Sequence, residues 1–330
     1  GWLIASMVRH SQVSFAPLAL AAWLLNPLTL IATAVGAHND AVMLVVLLLS
    51  LWLLQRRQPL LAVIVLILAA HVKLTALIWL LACALWIARE WGWRRALQIG
   101  LMSAVAGLVL SWLLYAPFGG WQALPRMLQE RSAFLANSLW RILKYVLINQ
   151  WSWPARSAHQ LSTGIPSLLF VAGAVLIPLR IFNFRREHWT NPPVREEEAD
   201  SKLWRAVTVT SMLFLVGSFW FQHWYILWAL APSVLLPGRQ FTRSILPWLT
   251  FGALFSNVAM DFLLATVMST SPVLVQYILV VVMIWGPILL AIAALVLTRR
   301  RAAATLLHKQ YPTEHVAQQN NFAKSEQSVD

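Results

Sequence analysis

Residues 273–297 read VLVQYILVVVMIWGPILLAIAALVL, an apolar run without a single charged side chain. A helix of this composition is apolar on every face and has no side to turn towards water. In a bilayer it satisfies its own backbone hydrogen bonds, and roughly 20 such residues span the hydrocarbon core. Similar runs recur at 13–35, 40–54, 59–70, 74–88, 96–116, 163–181, 206–222, 225–237 and 244–264. The pattern predicts an all-α, polytopic membrane protein with about ten membrane segments. Several runs are too short for a full span. The run 59–70 with 74–88, and 206–222 with 225–237, are read as paired helices meeting near one membrane face.

The composition agrees. A 330-residue chain that is 59% hydrophobic and 11% charged, with 19 tryptophans, lies outside the range of soluble domains. The net charge of +13 belongs to membrane topology, and no nucleic-acid partner is expected. Cys83 is the only cysteine, which excludes an intrachain disulfide and a cysteine-based metal site.

The charges set the orientation. Arg56 and Arg57, Arg89, Arg94 and Arg95, Arg180, Arg185 and Arg186, Arg239 and Arg243, and Arg299 to Arg301 all fall between or after runs. With these connections cytoplasmic, only Lys73, Arg126, Arg131, Arg141, Lys144 and Arg156 of the 25 Lys and Arg are external, as the positive-inside bias requires. Both chain ends are then cytoplasmic, in the plasma membrane. Residues 1–297 form the transmembrane domain, and 182–205, with Asn191-Pro192-Pro193 and Glu196-Glu197-Glu198, form a solvated cytoplasmic loop. Residues 298–330 are expected to be a disordered cytoplasmic tail. In the external loop 117–162, Pro125 is suited to start a helix. Leu124, Met127, Leu128, Phe134, Leu135, Leu139, Ile142, Leu143 and Val146 then recur at helical spacing, with Arg126, Glu130, Asn137, Arg141 and Lys144 opposite. That is the pattern of a helix lying in the membrane interface.

Polar residues within or beside the runs are few: His38, Asn39, Asp40, His71, Lys73, Gln222, His223, Asn257 and Asp261. Each charged one costs a few kcal/mol at the bilayer centre. In this topology His38–Asp40, His71–Lys73 and Gln222–His223 reach the external helix ends, with Asp261 close to the same end, which argues for an externally open polar site. The local alternatives remain open. Asp40 either caps the next helix or faces a substrate, where a carboxylate can accept a proton, bind sugar hydroxyls or, with His38, hold a divalent cation. Lys73 either snorkels to the interface or pairs with a lipid phosphate. His223-Trp224-Tyr225 is either an aromatic belt or a surface for a sugar face. Arg126, Arg141 and Lys144 are read as contacts to anionic lipid headgroups. No metal site is certain.

These motifs resemble a family. Asn26-Pro27-Leu28 followed by Gly36-Ala37-His38-Asn39-Asp40-Ala41 is similar to a stretch of the actinobacterial polyprenyl-phosphate-mannose-dependent α-(1→6)-mannosyltransferases. Phe221-Gln222-His223-Trp224-Tyr225-Ile226-Leu227-Trp228 with Pro232 resembles their later aromatic stretch, although His223 stands where that family usually has proline. His71-Val72-Lys73-Leu74-Thr75 looks like the lysine-containing turn of the wider superfamily of membrane glycosyltransferases with the C-type (GT-C) fold. The resemblance implies an inverting glycosyltransferase that moves a sugar, mannose by analogy, from a polyprenyl-phosphate donor to a lipid-linked glycan acceptor outside the cytoplasm. It implies Asp40 or a residue absent from this chain as base, and Lys73 as the partner of the leaving phosphate. His38, Asn39, His71, Gln222, His223, Trp224 and Tyr225 would line the substrate site. In that superfamily the principal carboxylate follows the first membrane helix, and residues 1–12 offer no such loop, so it is expected upstream of Gly1. The alternative is a transporter or flippase of lipid-linked sugars. Polar groups on one side only, without repeat symmetry, favour the enzyme; they also make a purely structural envelope subunit less attractive.

Overall fold

A computed structural model describes residues 1–11, 13–36, 38–120, 138–182, 196–219, 221–236, 247–255 and 271–310. Among the described residues there are helices and connections but no strand. Among the described residues four helices are long and apolar enough to cross a bilayer: Leu74–Trp91, Trp93–Phe118, Ala155–Phe182 and Val273–Ala294. Ala16–Leu24 with Pro27–Val35, bent by 56°, adds a fifth if the pair is one broken span. Runs 40–54 and 59–70 form the shorter apolar helices Asn39–Gln55 and Pro59–Val72.

Within the described residues, the segments depart from the apolar runs for physical reasons. The run 13–35 contains α2 (Ala16–Leu24) and α3 (Pro27–Leu30), separated at Leu25-Asn26. Asn26 Oδ1 accepts hydrogen bonds from the Leu28 and Thr29 amides (2.9 and 3.4 Å), and Pro27 begins the new helix where its missing N–H costs nothing. The run 225–237 is apolar for a different reason. Leu227 to Ser233 are all buried inside the protein, so their neighbours are side chains, not lipid. Of 244–264 only 247–255 is described, and Asn257, Asp261 and Arg126 lie outside the described residues, as does the expected helix start at Pro125.

The helix α1 (Trp2–Ser11) arises where no apolar run stands. Ile4, Met7 and Val8 are buried, three positions that share one helix face. The helix docks on α4 (Asn39–Gln55), where Trp52 donates from Nε1 to Ser6 Oγ (3.2 Å) and Gln55 from Nε2 to the Met7 carbonyl (3.1 Å). Next, α4 packs along α5 (Pro59–Val72), with Ser50 donating to the Ala62 carbonyl (2.8 Å). Then come α6 (Leu80–Trp91), α7 (Trp93–Tyr115), α8 (Leu139–Asn149), α9 (Ala155–Phe182), α10 (Glu196–Gly217), α11 (Leu227–Ser233) and α12 (Val273–Gln310).

Indole donors tie the layers together. Trp79 Nε1 donates to Ser211 Oγ (2.8 Å) and Trp86 Nε1 to the Ala199 carbonyl (3.0 Å), both on α10. In an apolar interior each such bond fixes position as well as satisfying a buried N–H. The outward faces stay apolar: on α7, Leu97 is 76% exposed, Leu101 68% and Trp112 60%. Such a stripe suits lipid and would drive association in water. The protein is a membrane protein.

The far end of α4 from Asp40, roughly 22 Å along the axis at 1.5 Å per residue, carries the arginine cluster. Arg57 pairs with Glu90 (3.0 Å) and lies over the rings of Trp86 and Trp91. Arg89 donates to the Phe182 carbonyl at the end of α9.

The helix at 247–255 packs its backbone directly on α12. A Cβ at Gly252 would overlap the Ile284 carbonyl oxygen and come within 2.9 Å of that of Met283, atoms of a rigid helix that cannot move aside. Gly252→Ala is expected to lower stability by about 1–3 kcal/mol. Gly100→Ala, where a Cβ meets nothing within 4 Å, should be neutral or slightly stabilising. Thermal unfolding of both variants in detergent checks the contrast.

Candidate functional site

Three breaks in helix build the site. The first lies between α3 and α4. The backbone widens into a π-turn over Ile31–Val35, closed by the Gly36 amide donating to the Ile31 carbonyl (2.7 Å). His38 follows in extended conformation as the residue that starts α4. Gly36 leaves room for the His38 ring: a Cβ there would come within 2.9 Å of the imidazole, which would have to shift. The second break is Lys73 itself (φ −157°, ψ 120°), between α5 and the 3-10 turn Leu74–Trp79. The third is Gln222 (φ −126°, ψ 142°), which leads into the 3-10 turn His223–Ile226 and then α11. A turn of α11 packs against α4, which brings the third break to the first two.

At their meeting point stands an ion pair removed from water. Lys73 Nζ lies 2.8 Å from each Asp40 oxygen, and the two side chains are 9% and 1% exposed. Trp228 Nε1 donates a third hydrogen bond to Asp40 Oδ1 (2.9 Å). Asp40 also lies in the first turn of α4, where the helix dipole favours a negative charge. The Lys73 ammonium faces two stacked rings. Its nitrogen is 4.5 Å from the centre of Tyr225 and 5.2 Å from that of Trp228, the two rings lying 4.5 Å apart and 25° from parallel. The cation is held by charge on one side and by ring quadrupoles on the other.

A second layer adjoins it. The His38 ring stacks on Trp224 (3.7 Å, 23°), and His223 meets Trp224 edge-on (4.7 Å) and His38 at 6.5 Å. Trp224 in turn touches Tyr225 edge-on (6.2 Å). The whole is a half-buried shelf of flat rings beside a held ammonium. Flat rings suit the C–H face of a sugar, and an ammonium suits a phosphate.

The local alternatives can be compared with this geometry. Asp40 makes no cap: its oxygens go to Lys73 and Trp228, and α4 has no side-chain cap. Lys73 does not snorkel; its charge is turned inward to Asp40. His71, two residues away, points elsewhere, with Nε2 3.2 Å from Ser111 Oγ and its ring against Tyr115 of α7. Since Ser111 spends its proton on the Gly107 carbonyl (2.7 Å), Nε2 is the donor of that contact. Asn39 is exposed, and Gln222 is half-buried with its carbonyl accepting from the Tyr225 amide (3.0 Å). Arg141 and Lys144 lie on α8, against Tyr277 and His159.

Trp228 belongs to the site although the sequence points to it only as part of an aromatic stretch. Its spacing of three from Tyr225 is the available signal, since it puts both rings on one helical face. Among the described residues no three His, Cys, Asp or Glu side chains gather as metal ligands.

No curated protein matches the chain. The family reading of the first motifs is borne out by a match that contains His38, Asp40 and Lys73 but ends before Tyr225 and Trp228: residues 1–89 match the MptA_B family, described as Alpha-(1->6)-mannopyranosyltransferase, N-terminal domain.

Proposed function

We propose that this protein is an integral-membrane, inverting mannosyltransferase of the C-type fold, which uses a polyprenyl-phosphate mannose donor and a lipid-linked glycan acceptor outside the cytoplasm. The observation that carries the reading is the Lys73 ammonium fixed between Asp40 and the Tyr225 and Trp228 rings, within reach of the His38–Trp224 shelf. The match of residues 1–89 to a mannosyltransferase domain supports the sugar.

In this mechanism the acceptor hydroxyl oxygen attacks the anomeric carbon from the face opposite the lipid phosphate. The bond from that carbon to the phosphate oxygen breaks, and the phosphate departs with the electron pair. Lys73 neutralises the developing charge, a contribution that counts most where water is excluded. Asp40 accepts three hydrogen bonds and serves as counter-charge to Lys73. The hydroxyl proton passes to a carboxylate base, either Asp40 or one outside the described residues. The His38, Trp224 and Tyr225 rings orient the sugar so that attack is in line.

A binding titration tests the donor chemistry. The protein in neutral-lipid nanodiscs is expected to bind a short polyprenyl monophosphate, and the Asp40→Asn, Lys73→Met double variant, which strands no buried charge, to bind it about 10- to 100-fold more weakly, the loss of one strong charge-assisted contact. Equal affinity in the two proteins would remove Lys73 from the phosphate site.

A further inference from the structure

Away from the ion pair, α8 and α9 meet along a strip that is basic throughout. Lys144 Nζ lies 3.4 Å from His159 Nδ1 of α9. Arg141, one turn earlier on α8, donates to Tyr277 Oη of α12 (2.7 Å), its guanidinium 4.0 Å from that ring's centre. Tyr145 braces the same tyrosine edge-on (5.9 Å). Arg156 stands one turn before His159 on α9 and is exposed. Spacings of three put Arg141 with Lys144, and Arg156 with His159, on shared helix faces. Among the described residues no carboxylate pairs with any of these four, whereas Arg57, Lys73 and Lys202 each hold one, in Glu90, Asp40 and Glu198.

Arg141 and Lys144, three residues apart on one helix, repel each other, so the strip favours an anion from outside or its charge spread into water. The ammonium keeps donors beyond the one aimed at His159, and the guanidinium keeps donors beyond the one given to Tyr277. The strip is also held still. Trp140 Nε1 donates to the Val216 carbonyl (2.9 Å) and Ser138 Oγ to that of Phe219 (3.0 Å), which ties the start of α8 to the end of α10. Exposed Trp151 and Trp153 flank it, the residue type that settles at headgroup depth.

We propose that α8 and α9 form a binding site for the phosphate of an anionic lipid, with Lys144 and His159 beneath it and Arg141 and Arg156 at its rim. The site requires only the bilayer and does not depend on the transfer reaction.

The test titrates phosphatidylglycerol, and separately phosphatidylcholine, into the full chain in neutral detergent, with bound lipid counted by native mass spectrometry. Phosphatidylglycerol is expected to bind the more tightly. Lys144→Gln and Arg156→Gln should each weaken it about fivefold, equivalent to the ~1 kcal/mol that one basic residue contributes near an anionic surface. Lys144→Arg should retain it. Because Arg156 is exposed, its variant reads binding without disturbing the fold. Equal affinity for the two lipids, or wild-type binding in both Gln variants, overturns the proposal. So does complete displacement of the lipid by equimolar inorganic phosphate, which would make this a free-phosphate site.

Discussion

Asp40→Asn is expected to destabilise the protein by about 3–5 kcal/mol, because it leaves the Lys73 ammonium charged and uncompensated in a dry interior. Asn keeps an oxygen for the Trp228 N–H, so the loss isolates the charge. Adding Lys73→Met removes the stranded cation, and the double variant should recover most of the lost stability, as buried pairs replaced on both sides generally do. It should not recover transfer, since the ammonium proposed to meet the phosphate is gone. The two readouts, unfolding in detergent and sugar transfer in membranes, therefore separate what the pair does for the fold from what it does for chemistry. Recovery of both in the double variant would show that the pair is structural only.

Trp228→Phe should lower transfer by about 10- to 100-fold, the equivalent of the 1.5–3 kcal/mol carried by a hydrogen bond to a charged group. The substitution deletes the N–H that fixes Asp40 Oδ1 (2.9 Å) and leaves an aromatic face for Lys73 and Tyr225. In the proposed mechanism Trp228 acts through Asp40 on Lys73, as a positioning residue. Its loss is expected in kcat, where the leaving phosphate is stabilised, with donor KM little changed. An equal rise in KM with kcat untouched would assign Trp228 to donor binding. Trp228→Ala is less informative, because emptying a site that is 1% exposed costs about 3–5 kcal/mol of packing whatever the mechanism.

Much of this site is legible in the sequence, for a physical reason. Histidine, aspartate and lysine are expensive inside apolar runs, so His38, Asp40, Lys73 and His223 stand out where they would vanish on a soluble surface. What they do is less legible. Whether Asp40 caps α4 or pairs with Lys73 depends on a residue 33 positions away, and no local pattern contains that distance. Trp228 is harder still, since a tryptophan in an apolar stretch resembles core until its indole is seen to meet Asp40. The spans show the same limit. Hydropathy reports that residues 227–233 avoid water but not whether lipid or protein replaces it, and here protein does. The helix α1 was hidden because an amphipathic face of Ile4, Met7 and Val8 makes no run at all.

The measurement closest to the central claim is transfer itself. Membranes carrying the protein are supplied with radiolabelled polyprenyl-phosphate mannose and extracted envelope lipids, with no sugar nucleotide present. Label in a larger glycolipid is expected with the wild-type protein, and none with the Asp40→Asn, Lys73→Met double variant, which strands no buried charge. Label that crosses the bilayer of reconstituted vesicles without entering any larger glycolipid would contradict that claim and identify a carrier of lipid-linked sugars.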